Sequence, residues 1–248
     1  MKVIVLAAGY ATRLHPLTLN QPKPLLSVGG RPMLDHVLDA LAPVGNHDHA
    51  LDRVYVVTNA KFTPHFEKWA ATHPAKETLR VINDGTTDDA NKLGAIGDLH
   101  LVMTQEQLDD DLLVVAGDNL FSEQLAGLGE FCRAQTTPVL GLYDVKSLEE
   151  AKKYGVVSVE DGRIASFVEK PAQPASTLIG IALYYYPRAT LPLIRQYIAE
   201  GNNPDQPGRL IQWLYPRTPV RTWSIPGLWL DIGSKETLEE AQQFFAAK

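Results

Sequence analysis

The opening residues constrain the fold more than any other stretch. Residues 2–8 read KVIVLAA, an unbroken apolar run that closes on Gly9. A strand with one wet face would alternate apolar and polar residues. A run that is apolar on both faces belongs inside a parallel sheet covered by helices on two sides. The same rhythm then repeats. Residues 33–41 carry Leu34, Val37, Leu38 and Leu41 at helical spacing, and residues 53–57 form a second apolar run. A helix over 63–71, a strand over 79–82, a helix over 93–103 and a strand over 111–116 follow, the last ending in Gly117-Asp118-Asn119. This alternation predicts an α/β fold with a doubly wound, mainly parallel sheet.

Beyond residue 137 the rhythm changes. Short strands are expected over 138–143, 155–159 and 163–168, the last two joined by a hairpin turn at Asp161-Gly162. A strand over 181–186 and a helix over 191–199 precede a loop over 202–208 that is rich in Asn, Pro and Gly. A strand over 220–225 and a helix over 235–245 close the chain. Neither a linker nor a repeat interrupts it. A single domain over 1–248 is expected, in which residues 138–248 add antiparallel strands to the half formed by residues 1–137 and build a substrate lobe.

Composition excludes several functions. With 248 residues, 45% of them hydrophobic, the chain can bury a sizeable core unaided. Its net charge of −6 argues against a nucleic-acid partner, which would call for a basic face, yet leaves room for a small phosphate-rich substrate. A single cysteine, Cys132, excludes an internal disulfide and a multi-cysteine zinc site, and its helical setting marks it as inert. No apolar run approaches the ~20 residues that span a bilayer, so no membrane partner is expected. The strand expected from Lys2 leaves no room for a cleaved signal peptide, and a cytoplasmic protein is expected.

The loop after the first strand carries the chemistry. Gly9 lies at the carboxyl edge of a buried strand, where open α/β sheets bind ligands. A residue without a side chain lets backbone N–H groups approach a phosphate. Arg13 and Lys23 place two cations on the same loop, and Pro22 and Pro24 restrict the backbone around Lys23. A surface loop with two solvated charges would look the same. Neither G-x-x-x-x-G-K-[ST] nor G-x-G-x-x-G occurs, which sets aside P-loop and dinucleotide-binding readings.

The stretch LAAGYATRLHPLTLNQPKPLL, from Leu6 onward, resembles the opening motif of the sugar-1-phosphate nucleotidylyltransferases almost position for position. Further segments resemble that family in the family's order: Gly117-Asp118-Asn119, Tyr154-Gly155-Val156-Val157, Glu169-Lys170-Pro171 and Trp229-Leu230-Asp231-Ile232-Gly233. The likeness is to the short glucose-1-phosphate thymidylyltransferase-like members that lack a β-helix domain. It implies a Rossmann-like, three-layer αβα nucleotidyltransferase fold. It also implies the activity: an NTP and a sugar 1-phosphate are joined with Mg²⁺ as cofactor, and pyrophosphate leaves.

By the same resemblance, Arg13 and Lys23 grip the triphosphate and Lys170 holds the attacking sugar phosphate. Asp118 and Asp231 coordinate Mg²⁺, a hard cation that prefers oxygen ligands. Leu6, Ala8, Gly9, Asn83, Gly94 and Asp118 fall at nucleotide-binding positions, and Gly155, Glu169, Gly180 and Trp229 at sugar-binding ones. From the residues alone, Asp118 would serve as well to cap a helix beginning at Leu120, and Trp229 as core. An amide at Asn83 and backbone N–H groups from Gly94 onward suit a pyrimidine's imide edge, so TTP or UTP is expected. The long loop over 86–92 keeps open a cytidylyl- or uridylyltransferase for another sugar, alditol or amino-alcohol phosphate. A non-catalytic regulatory subunit of this fold is the other alternative. His47-Asp48-His49 reads as a solvated loop, Tyr184-Tyr185-Tyr186 as a strand with alternating faces, and Asn202-Asn203-Pro204-Asp205 as a turn or part of the sugar pocket. Relatives' habits imply a homo-oligomer.

Overall fold

A computed structural model describes residues 1–45 and 51–246. His47-Asp48-His49 therefore lies outside the described residues. The strands are β1 (Lys2–Leu6), β2 (Ser27–Val28), β3 (Arg31–Pro32), β4 (Val54–Thr58), β5 (Leu79–Asn83), β6 (Leu112–Ala116), β7 (Asn119–Phe121), β8 (Val139–Asp144), β9 (Gly155–Glu160), β10 (Arg163–Glu169), β11 (Leu178–Tyr186), β12 (Arg221–Ser224) and β13 (Trp229–Asp231). The helices are α1 (Met33–Leu41), α2 (Thr63–Thr72), α3 (Ala95–Gln105), α4 (Leu128–Arg133), α5 (Leu148–Ala151), α6 (Leu191–Ala199), α7 (Pro207–Leu214) and α8 (Lys235–Ala246).

Nine strands form one sheet in the order β5-β4-β1-β6-β11-β8-β12-β10-β9. The first four run parallel, as the apolar runs require. β11 enters antiparallel beside β6 and joins the two halves of the chain. Its second half pairs with β6, while Ile179 and Gly180 pair with β9. The strands β11, β8, β12, β10 and β9 thus close a circuit of hydrogen-bonded neighbours. β12 departs from the expected antiparallel arrangement and runs parallel to β8.

Alternation along each strand sorts the core into two layers. Val3 and Val5 of β1 join Leu34, Val37 and Leu41 of α1 and Phe66 of α2 on one face. Ile4 joins Ile96, Leu99 and Val102 of α3 and Leu210, Ile211 and Leu214 of α7 on the other. Helices therefore cover both sheet faces, as expected. The tyrosine run obeys the same rule: Tyr185 faces the first layer, while Tyr184 and Tyr186 stack on each other in the second. Asp161 and Gly162 have φ of 50° and 70°, the two positive values of a tight hairpin turn. Cys132 is fully buried in α4, where burial pushes its thiol up to about 12, and it is inert.

Two local expectations fail. The stretch 202–208 is not all loop, because α7 begins at Pro207, whose fixed φ suits a first helical position. No helix follows Asp118. Asn119–Phe121 is strand β7, so Asp118 does not act as a helix cap. Among the described residues no helix is long and apolar enough to cross a membrane.

Candidate active site

The carboxyl edge of β1 opens onto a cavity of ≈ 760 Å³. Leu6, Ala8, Gly9, Arg13 and Lys23 line it from the first loop, Gly94 from the start of α3, and Asp118 from the turn after β6. Gly155, Glu169, Lys170, Gly180, Trp229 and Asp231 line it from the second half. Every site residue expected from the sequence reaches this cavity except Asn83. The side chain of Asn83 is exposed, and its Oδ1 accepts a 2.8 Å hydrogen bond from the Gly85 amide. Its neighbour Asp84 is half-buried and accepts from the Thr86 amide at 2.7 Å. Of the backbone N–H groups from Gly94 onward, two are engaged within the protein. Ala95 N donates to Asp205 O at 3.1 Å and Ile96 N to Pro204 O at 2.8 Å.

The two aspartates meet because β7 and β13 pair as a short antiparallel ribbon, with Asp231 opposite Asn119. Lys23 sits between them and the first loop. Its Nζ donates to Asp118 Oδ2 and, at 2.8 Å, to the Ile232 carbonyl. Burial and the Asp118 charge push the Asp231 carboxyl up to about 6, while Lys23 and Arg13 pull it down. The Tyr154 hydroxyl, held un-ionised mainly by burial, hydrogen-bonds Asp231. No group of three or more His, Cys, Asp or Glu side chains is gathered for a metal among the described residues. Two carboxylates side by side on one cavity nonetheless match Mg²⁺, which is held by one or two carboxylates with waters and substrate phosphates completing its shell.

Arg13 and Lys170 are both exposed in the cavity and have no ion-pair partner among the described residues. Cations left unpaired beside a carboxylate pair suit a polyanion that brings its own negative charge. Lys170 adopts a positive φ of 46°, and its amide donates to Tyr154 O at 3.1 Å, which ties it to the aspartate corner.

Glu169 lies beside the first turn of α7, where a Cβ at Gly208 would stand 2.2 Å from Glu169 Oε2. Burial raises the Glu169 carboxyl, against Lys170 and Arg209. Gly155 and Gly180 are glycines for packing as well as access: an added Cβ would meet Phe167 Cζ at 2.2 Å and Leu140 Cδ2 at 2.8 Å respectively. Gly9 differs, since an added Cβ there would meet no protein atom within 4 Å. Trp229 is both core and cavity wall. It packs on Tyr143 and Tyr154 at centroid distances of 5.6 and 5.3 Å, and its Nε1 has no hydrogen-bond partner among the described residues.

Sequence reasoning missed Tyr10, Asp98, Gln206 and Gly208, which also line the cavity. Pro207-Gly208 was visible as a helix-start signal. Asp98 had no signal beyond being a carboxylate on a helix face otherwise apolar.

Comparison with known proteins identifies the family. Residues 2–248 match the nucleotidyl transferase family, and the chain belongs to it. The UTP–glucose-1-phosphate uridylyltransferase AglF of Haloferax volcanii is 29% identical over 98% of this chain and 96% of its own. The mannose-1-phosphate guanyltransferase of Neurospora crassa is 29% identical over 94% of this chain and 61% of its own. The bifunctional protein GlmU of Methanocaldococcus jannaschii is 25% identical over 100% of this chain and 55% of its own. The chain thus spans little more than half the length of several relatives. The structure of a UDP-glucose pyrophosphorylase complexed with UDP-glucose superposes with a TM-score of 0.81 at 19% identity, covering 99% of this chain and 98% of that one, which shows the shared α/β fold.

Proposed function

We propose that this nucleotidyltransferase joins an NTP to a sugar 1-phosphate of the glucose-1-phosphate kind, giving an NDP-sugar and pyrophosphate. The observation that carries the reading is convergence. A phosphate-type loop with Arg13 and Lys23, the Asp118–Asp231 pair and the Lys170–Glu169 corner all open into one cavity. In this reading residues 1–137 hold the nucleotide and residues 138–248 the sugar phosphate.

The chemistry is an in-line displacement. An oxygen of the sugar phosphate forms a bond to the nucleotide's α-phosphorus as the bond to the β-phosphate oxygen breaks, and pyrophosphate leaves with that electron pair. Both reactants are anions, and two unit charges 4 Å apart repel by about 4 kcal/mol at an effective dielectric of 20. Arg13 and Lys23 offset that repulsion on the triphosphate side, and Lys170 does so on the sugar-phosphate side. Positioning and charge stabilisation are most of what such a transfer needs. Asp118 and Asp231 would hold Mg²⁺, which neutralises phosphate charge and fixes its geometry. Glu169 accepts hydrogen bonds from sugar hydroxyls, and Gly155, Gly180 and Trp229 shape the wall beside the ring.

Pyrophosphate release, measured with each NTP against hexose, alditol and amino-alcohol phosphates, tests the reading. Turnover with a hexose 1-phosphate is expected. Tight nucleotide binding without turnover on any acceptor would overturn it in favour of a regulatory subunit.

A further inference from the structure

The part of the cavity bounded by α3 and the loop after β1 holds a group that the reaction does not use. Asp98, in the first turn of α3, is only 5% exposed and lines the cavity. Its Oδ1 is buried without a hydrogen-bond partner among the described residues. What it does face is a second carboxylate, Asp84, at hydrogen-bonding range. Asp84 is already supplied with donors: its Oδ1 accepts from the Thr86 amide at 2.7 Å and from Thr86 Oγ1 at 2.8 Å. Thr86 Oγ1 in turn meets the Tyr10 hydroxyl, another cavity wall, at 3.2 Å.

Two carboxylates in contact, Asp98 buried and Asp84 half-buried, resist carrying two charges without a cation between them, so the pair shares one proton. The proton sits on Asp98, the more buried of the two. Burial and the Asp84 charge act in that direction. A protonated Asp98 donates to Asp84 and retains acceptor capacity that no protein donor fills. The amides that begin α3 cannot compensate, being bound to Pro204 and Asp205.

We propose that Asp98, seated on Asp84, selects the nucleobase, and that it favours guanine. The proposal rests on the nucleotidyltransferase reading above and concerns the nucleoside end of the same site. Guanine offers two adjacent donors, N1–H and the N2 amino group, to an acceptor-only oxygen. Uracil and thymine flank their single N3–H with two carbonyls, which set acceptor against acceptor. Adenine and cytosine each offer an amino group beside a ring-nitrogen acceptor. Leaving such a buried polar group unmatched costs about ten- to a hundredfold in affinity.

The test is calorimetric binding of GTP, ITP, UTP and ATP, with Mg²⁺, to the wild type, Asp98→Asn and Asp98→Leu, with Asp98→Ala standing in should the leucine variant not fold. GTP is expected to bind about ten- to a hundredfold more tightly than UTP, with ITP between them because it lacks the amino group. Asp98→Asn keeps that order, since its amide donates to Asp84 and offers its oxygen to the base just as the protonated acid does. Asp98→Leu or Asp98→Ala brings GTP and UTP together. Wild-type binding of UTP as tight as that of GTP, survival of the preference in the apolar variants, or its loss in Asp98→Asn would each overturn the proposal. Because the readout is binding, it is separate from the turnover that tests the reaction itself.

Discussion

Lys23 is the residue whose removal the structure allows to be worked through furthest. Its ammonium joins Asp118 and the Ile232 carbonyl, so one side chain ties the first loop to both the β6–β7 turn and the segment after β13. The side chains of Lys23 and Asp118 are 17% and 23% exposed, which makes the pair mostly buried. Lys23→Met keeps the stem and deletes the charge. Removing one partner of a buried pair costs about 3–5 kcal/mol, and the residual exposure puts this case at the lower end or below, about 2–3 kcal/mol. For a chain of this size that is a fall in Tm of roughly 4–12 °C. Most of the loss is the unpaired Asp118 beside Asp231. Asp118→Asn on the Lys23→Met background is therefore expected to restore part of it, with a coupling of about 1–3 kcal/mol in the double-mutant cycle. Urea unfolding of the four proteins measures the coupling, and pyrophosphate release should fall by about two to three orders of magnitude in Lys23→Met. Additive losses, with coupling below about 0.5 kcal/mol, would refute the reasoning, because the pair would then carry no shared energy.

Four further outcomes follow from the same geometry. Asp118→Asn and Asp231→Asn should each cut turnover by about two orders of magnitude or more, and excess EDTA should abolish it; turnover in EDTA equal to that with Mg²⁺ would remove the metal role. Gly155→Ala should destabilise the protein by about 1–3 kcal/mol, because its Cβ would land on the Phe167 ring. Gly9→Ala, which meets no protein atom, should leave the urea midpoint unchanged yet reduce turnover by obstructing phosphate approach. The Asp98 carboxyl is raised to about 8 in the fold, by burial and Asp84, from about 3.9 in an unfolded chain. The folded protein therefore holds a proton that the unfolded chain releases, and this contribution to stability is present below pH 4 and lost as pH rises toward 8. Asp84 and Tyr10 face the same network and stay in place, so Asp98→Asn should flatten the decline in Tm between pH 5 and 8; an unchanged slope would place the proton elsewhere.

The amino-acid order determined what is local. Apolar runs such as residues 2–8 could be read as buried parallel strands because both faces of each strand carry the information within five residues. The helix α1 and the Asp161-Gly162 hairpin were legible for the same reason, and the long first-loop motif identified the family's chemistry. The meeting of Asp118 with Asp231 was expected only through resemblance; the β7–β13 ribbon that achieves it spans distant parts of the chain, and no periodicity encodes a pairing between them. The helix α7 escaped because its Asn-, Pro- and Gly-rich approach reads as loop until the Pro207 start is recognised. Resemblance marks Asn83, but side-chain direction reverses at every residue of a strand, so whether it or its neighbour Asp84 faces the interior is not legible in the sequence. Tertiary structure alone decided which of the two turns inward, that Pro204 and Asp205 occupy the first amides of α3, and that Asp84 lies on Asp98. Each is a contact between segments whose separation along the chain carries no signal of their proximity in space.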